Sequence, residues 1–178
     1  GIEGSGWLAA PGLVVTNAHV VAGQEDTVVS LGDDGAEHDA VPVHYEPEND
    51  LALLRVSGIS GEPLPLAAQA RSGTAGATLG YPENGPFVIT PARLGATQSV
   101  ISQDSYGRGP LRRVLTAFRG EVRSGNSGGP ILDEDGRVLT TVFASTTQGK
   151  PGGYGIPNAV VAAALARAGG EVSTGPCT

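Results

Sequence analysis

A chain of 178 residues with a formal net charge of −7 and only 11 basic side chains lacks the clustered positive charge that nucleic-acid phosphates require. Its 28 glycines and 13 prolines, set against 39% apolar and 4% aromatic residues, describe a turn-rich packed β protein rather than a disordered tail. No window reaches the roughly 18–20 apolar residues of a membrane span and no signal peptide precedes the first apolar run, so the chain reads as cytosolic or as a mature segment whose targeting sequence lies elsewhere.

Taken in order, "GWLAA", "LVVTNAHVV", "TVVSLG", "AVPVHY" and "LALLRV" are short, apolar and β-branched, and turn-forming residues separate them. Residues 57–76, "SGISGEPLPLAAQARSGTAG", lose that pattern and read as a linker between two β subdomains. Then come "ATLGY", "FVITPARLGA", "RRVLTAF", "GPILD" and "RVLTTVFA". Arg112 and Arg113 read as a solvated strand edge or hairpin arm, and Ser102 to Pro110, polar and Gly-rich, as the most mobile segment. "DEDG" is a hairpin turn whose acids form the turn. "PNAVVAAALARAG" is a helix, with Asn158 as its cap and Gly169 at its end. Short strands at regular spacing predict an all-β sandwich or barrel.

Three polar residues interrupt apolar strand ends: His19 in "VVTNAHVV", Asp50 in "PENDLALLRV" and Ser127 in "SGNSGGP". Singly they read as a core histidine, a strand cap and a turn. Together they form a set with a shared chemistry. A serine hydroxyl needs a neighbouring base to become a nucleophile, and imidazole serves at neutral pH because it exchanges its proton there. A carboxylate on the other ring nitrogen holds the tautomer and stabilises the imidazolium. Gly125 and Ser127 would supply backbone N–H groups to a developing oxyanion, which requires a tight turn free of obstructing Cβ atoms. Gly128 and Gly129 let the chain turn away before Pro130. His38 and His44 have no partners at metal-ligand spacing, so the chain calls for neither metal nor other cofactor.

"TNAHVV", "ENDLALLRV" and "GNSGGPIL" resemble the histidine, aspartate and serine motifs of trypsin/chymotrypsin-fold peptidases, in the order of that family and across nearly the whole chain. The resemblance implies a chymotrypsin-like double six-stranded antiparallel β-barrel with a C-terminal helix. The first barrel would span residues 1–70 and carry His19 and Asp50; the second would span 71–156 and carry Ser127; helix and tail would occupy 157–178. It implies a serine endopeptidase, monomeric and acting on protein or peptide substrates. "GYPENGPFVITPARLGA", "DSYG" and "TGPC" are similar to the MarP-like, membrane-anchored actinobacterial periplasmic proteases linked to acid resistance. That likeness implies an extracytoplasmic protein tethered by a segment absent from this chain. It also implies that Cys177, the single cysteine, pairs with an upstream cysteine. Asn126 stands where many digestive relatives carry an aspartate, so Ile2 is not expected to be an activated terminus.

By position relative to Ser127, the specificity pocket would be formed by Glu121 and Val122 at its base and by Ser145 and Gly152 near its walls. An acid at the base would select basic side chains; Glu121 turned to solvent would leave Val122 to select a medium apolar one. Two alternatives stand beside the peptidase reading: an HtrA-type protease core, and a catalytically silent binding or chaperone module on the same fold.

Overall fold

The strand that links the two faces of the front half is Leu51–Val56, and its unbroken apolar run has a structural reason. Leu51 and Leu53 join one buried cluster while Ala52, Leu54 and Val56 join another, so both faces of the strand are buried and period-two alternation disappears. Val14 and Val15 on the neighbouring strand divide in the same way.

The structure, a computed structural model, describes residues 4–32, 35–146 and 149–178; Ile2 lies outside the described residues. The elements are β1 (Trp7–Ala10), β2 (Leu13–Thr16), α1 (Ala18–Val21), β3 (Thr27–Ser30), β4 (Glu37–Glu46), β5 (Leu51–Val56), β6 (Ala75–Gly80), β7 (Val88–Ser102), β8 (Leu111–Gly120), β9 (Pro130–Leu132), β10 (Val138–Ser145), β11 (Gly152–Pro157) and α2 (Asn158–Arg167). The first five strands form a sheet in the order β1-β2-β5-β4-β3, and the last six close into a barrel in the order β10-β11-β8-β7-β6-β9. All pairings between these strands are antiparallel. The all-β class, two antiparallel β units followed by a C-terminal helix, is as expected. Among the described residues the first unit has five strands where six were expected. β1 and β3, four residues each, do not pair with one another. A cleft of about 870 Å³ lined by Leu8, Val14, Val20, Val29, Leu54 and Ile59 runs along that open side.

Three apolar clusters organise the interior. One fills the first sheet, around Val21, Ala40 and Leu54. Another fills the closed barrel, around Leu94, Phe118, Ile131 and Leu139. The third lies between them, where Trp7, Val15, Leu51 and Leu53 meet Val138, Ile156 and Val161 of α2. The Trp7 indole N–H donates to Thr141 Oγ1 at 3.1 Å across this junction.

Local readings fared unevenly. The "DEDG" turn forms as expected: Asp133 Oδ1 accepts the N–H groups of Asp135 and Arg137 at 3.0 and 2.9 Å. "AHVV" is a single helical turn rather than a strand continuation. β11, "GGYGIP", is a strand that its composition hides, because it has glycine where strands usually carry β-branched residues. Each of those glycines faces a close neighbour: a Cβ on Gly153 would lie 2.7 Å from the Phe118 ring, and one on Gly155 the same distance from Thr140 Cγ2. Asn158 does not cap α2. Pro157 stands at the N-cap, and the Asn158 amide donates to the carbonyls of Val138 and Ala67 at 2.7 and 3.2 Å, tying the helix to β10 and the linker. The helix ends at Arg167, with Ala168 as its C-cap and Gly169 directly after it.

Candidate active site

His19 stands on the α1 turn immediately after β2, and Asp50 on the turn that leads into β5. β2 and β5 are hydrogen-bonded neighbours with Thr16 opposite Ala52, so the sheet itself brings the two residues together. The imidazole Nδ1 lies 2.7 Å from Asp50 Oδ2, and the His19 backbone N–H donates to Oδ1 at 2.9 Å. With Nδ1 carrying the proton toward the carboxylate, Nε2 is the free acceptor nitrogen. Asp50 is 4% exposed and adopts a φ of 56°, a left-handed conformation that aspartate tolerates better than most residues. Asn17, fully buried beside it, donates from Nδ2 to the Asp50 carbonyl at 3.0 Å. Thus "TNAH" holds Asp50 by side chain and backbone together.

Ser127, in the loop before β9, is tied to the histidine strand through Ser5. Its carbonyl accepts the Ser5 N–H at 2.7 Å, and the Ser5 carbonyl accepts the Thr16 hydroxyl at 2.8 Å. A Cβ on Gly4 would lie 2.7 Å from the Val20 side chain and 3.0 Å from the Ser127 carbonyl, so this residue sits between the histidine turn and the serine loop. Gly128 N–H donates to Val142 at 2.8 Å and Val142 N–H to Gly129 at 2.9 Å, which fixes the loop on β10. The Ser127 hydroxyl makes no hydrogen bond among the described residues.

The loop's glycines are required by space. Gly125 has a φ of +90° and Gly128 of +86°, both in the region that disfavours side chains. A Cβ at Gly128 would collide with the Ser5 carbonyl and lie 2.5 Å from the Thr16 hydroxyl. Gly128→Ala is therefore expected to destabilise the fold by about 1–3 kcal/mol or more, read as a lower urea midpoint. An unchanged midpoint would mean that the loop is not packed this way. The Ser124 carbonyl is held by the Glu83 N–H at 2.7 Å. Because a trans peptide points its C=O and N–H in opposite directions, this bond also sets the direction of the Gly125 N–H. Ser5 Oγ donates to the Gly125 carbonyl at 2.6 Å and fixes the next peptide. The N–H groups of Gly125 and Ser127 donate to no other group among the described residues. Asn126 is buried, and its Oδ1 closes the turn by accepting the Arg123 N–H at 3.0 Å.

Glu121, Val122, Ser145 and Gly152 line one cavity of about 260 Å³, together with Lys150 and Pro151 among others; His19, Asp50 and Ser127 do not line it. The Glu121 carboxylate accepts the Arg123 Nε and Nη2 at 2.9 and 2.5 Å, and the two side chains are 57% and 54% exposed. Arg123 stays charged beside that carboxylate. His44 pairs with Glu46 at 3.1 Å. Among the described residues no group of His, Cys, Asp and Glu side chains is placed to hold a metal. Cys177 is exposed, with a free thiol 3.9 Å from the Gly23 carbonyl.

Sequence reasoning overlooked Ser5 and Thr16, which join the serine loop to the histidine strand. Thr16 opens "TNAHVV" but nothing in that motif signals a bond to Ser5, and "GSGWL" around Ser5 signals only a strand start. It also misplaced Arg113. Arg112 is exposed, whereas Arg113 is buried at 5% exposure and donates to main-chain carbonyls in two loops. Alternation along β8 turns the second arginine inward. The segment from Ser102 to Pro110 is docked rather than loose: Ser105 N–H donates to the Pro47 carbonyl at 2.9 Å, and the Tyr106 and Tyr45 hydroxyls meet at 2.6 Å.

A family profile described as trypsin-like peptidase domain matches residues 4–139. The chain is 38% identical over 180 residues to the serine protease Rv3671c of Mycobacterium tuberculosis, an alignment covering 99% of this chain and 45% of that protein. It therefore spans less than half the length of that curated relative. The crystal structure of the Rv3671c protease described as its active form superposes with a TM-score of 0.91 at 38% identity, covering 98% of this chain and 78% of that one. The form described as inactive gives a TM-score of 0.82 at 37% identity, covering 94% and 84%.

Proposed function

We propose, from the premise that this chain belongs to the trypsin-like peptidase family, that it is a serine endopeptidase working through His19, Asp50 and Ser127. The observation that carries the reading is the His19–Asp50 pair, with both carboxylate oxygens engaged by one histidine and Nε2 left free. Ser127 Oγ attacks the scissile carbonyl as Nε2 takes its proton. The same nitrogen returns that proton to the leaving amine, and water then resolves the acyl-enzyme by the same route. Asp50 stabilises the imidazolium formed in each half. The Gly125 and Ser127 N–H groups, unclaimed by the fold, receive the oxyanion. The greater likeness to the active form of Rv3671c favours this reading over a silent module on the same fold.

The cavity at Val122, Ser145 and Gly152 is proposed to take the side chain preceding the cut, and the pairing of Glu121 with Arg123 favours a medium apolar residue there. Cleavage of a peptide library is expected after medium apolar residues with both the parent and Glu121→Gln. Cleavage after basic residues by the parent, lost in the variant, would instead make Glu121 the selector. Substrate would lie extended along strand edges of the closed barrel. Among the described residues no helix is long and apolar enough to cross a membrane. The MarP-like motifs support an extracytoplasmic stress protease tethered through sequence outside this chain, its Cys177 thiol exposed for an upstream partner. The reading is tested by reaction with a fluorophosphonate and mass-spectrometric mapping of the adduct.

A further inference from the structure

Arg113 is an interior cation that the mechanism above does not use, at 5% exposure. It belongs to β8 of the closed barrel, yet its guanidinium reaches the turn between β4 and β5: Nη2 donates to the Asn49 carbonyl at 2.8 Å. Nη1 donates to the Gln103 carbonyl at 3.1 Å, and the carbon of the guanidinium lies 4.6 Å from the centroid of the Phe143 ring on β10. Nε is buried without a hydrogen-bond partner among the described residues. Burial pushes the guanidinium below its ordinary value, and the charges of Asp50, Asp104 and Glu46 pull it back up. A buried cation held by neutral carbonyls is a costly arrangement for simple packing, since an apolar side chain of similar size would avoid the desolvation.

What Arg113 holds is the residue before Asp50. Asp50 keeps a left-handed backbone, a conformation that persists where the surroundings over-determine it. Its N–H donates to the Pro47 carbonyl at 3.1 Å, the same oxygen that accepts Ser105 N–H at 2.9 Å. Its own carbonyl is fixed by Asn17 at 3.0 Å. The Asn49 carbonyl remains, and Arg113 takes it. We propose that Arg113 is a positioning residue: from the second barrel it clamps the Asn49–Asp50 peptide, and with it the loop at Gln103, so that the Asp50 carboxylate keeps both hydrogen bonds to His19. The inference rests on the triad reading. It adds that docking of the loop between β7 and β8 is coupled to the carboxylate through the Arg113 side chain, beside the shared Pro47 carbonyl.

The test uses two readouts on the whole chain. One is the downfield proton resonance of the His19 Nδ1–H in its bond to Asp50; the other is the rate at which a fluorophosphonate labels Ser127. Arg113→Met keeps the stem against Phe143 and removes the donors. It is expected to broaden or shift the resonance and to slow labelling about 10–100-fold, the scale of a misplacement near 1 Å. Arg112→Met, on the exposed face one residue away, is expected to change neither. Arg113→Lys keeps the charge and a single donor, and is expected to recover part of both. A folded Arg113→Met with the parent's resonance and labelling rate would overturn the proposal. If Arg113→Met does not fold, Arg113→Lys matching the parent in both respects overturns it instead. A parent protein that is not labelled at all defeats the nucleophile assignment, while the resonance still reports whether Arg113 holds Asp50 against His19.

Discussion

Ser127→Ala is expected to lower kcat by about 10⁶-fold while leaving KM within a small factor and the fold intact. The loss is large because removing the hydroxyl removes covalent catalysis altogether, and His19 and Asp50 then have no nucleophile to serve. What persists is the contribution of the oxyanion donors and of substrate binding. The fold is expected to survive because the loop is held by main-chain bonds: Ser5 N–H to the Ser127 carbonyl, Gly128 N–H to Val142 and Val142 N–H to Gly129. None involves the serine side chain. Steady-state kinetics beside a melting curve checks both parts. A variant that cleaves as fast as the parent would place the nucleophile elsewhere.

Asp50→Asn is expected to cost about 10⁴-fold in kcat, and the geometry says why. Oδ1 accepts the His19 backbone N–H at 2.9 Å and Oδ2 faces Nδ1 at 2.7 Å. An asparagine that keeps its oxygen on the backbone N–H must turn its NH₂ toward the ring, so Nδ1 becomes the acceptor and the proton moves to Nε2. The imidazole is then in the wrong tautomer to take a proton from Ser127. The side chain keeps its volume, so thermal stability is expected to change far less than activity. A variant with near-parent kcat would show that the carboxylate does not set the tautomer.

Much of the fold is legible in the sequence. The front-half strands announced themselves through β-branched runs between turns, and "TNAHVV", "ENDLALLRV" and "GNSGGPIL" marked the strand ends where polar groups are held. What stayed hidden follows a common physical cause. β11 is encoded by what its neighbours leave no room for, and glycine makes that space without advertising a strand. Ser5 is an ordinary residue whose value lies in where its N–H and hydroxyl end up, a matter of tertiary contact across more than a hundred residues. Arg113 looks identical to Arg112 in the sequence, and only the side of β8 it faces separates a solvated charge from a buried clamp. Asn158 carried a capping signal, yet tertiary contacts with Ala67 and Val138 claimed its amide. The open edges of the first sheet likewise depend on which strands find partners, which local periodicity does not encode.

The claim on which the rest depends is that a hydroxyl of the closed barrel is activated by an imidazole of the open sheet. Fluorophosphonate labelling of the parent and of His19→Ala, with the adduct mapped by mass spectrometry, tests it most directly. The account predicts one adduct per chain, on Ser127, formed rapidly in the parent and slowed by orders of magnitude without the imidazole. Labelling on another residue, or labelling of Ser127 at the same rate in both proteins, would contradict it.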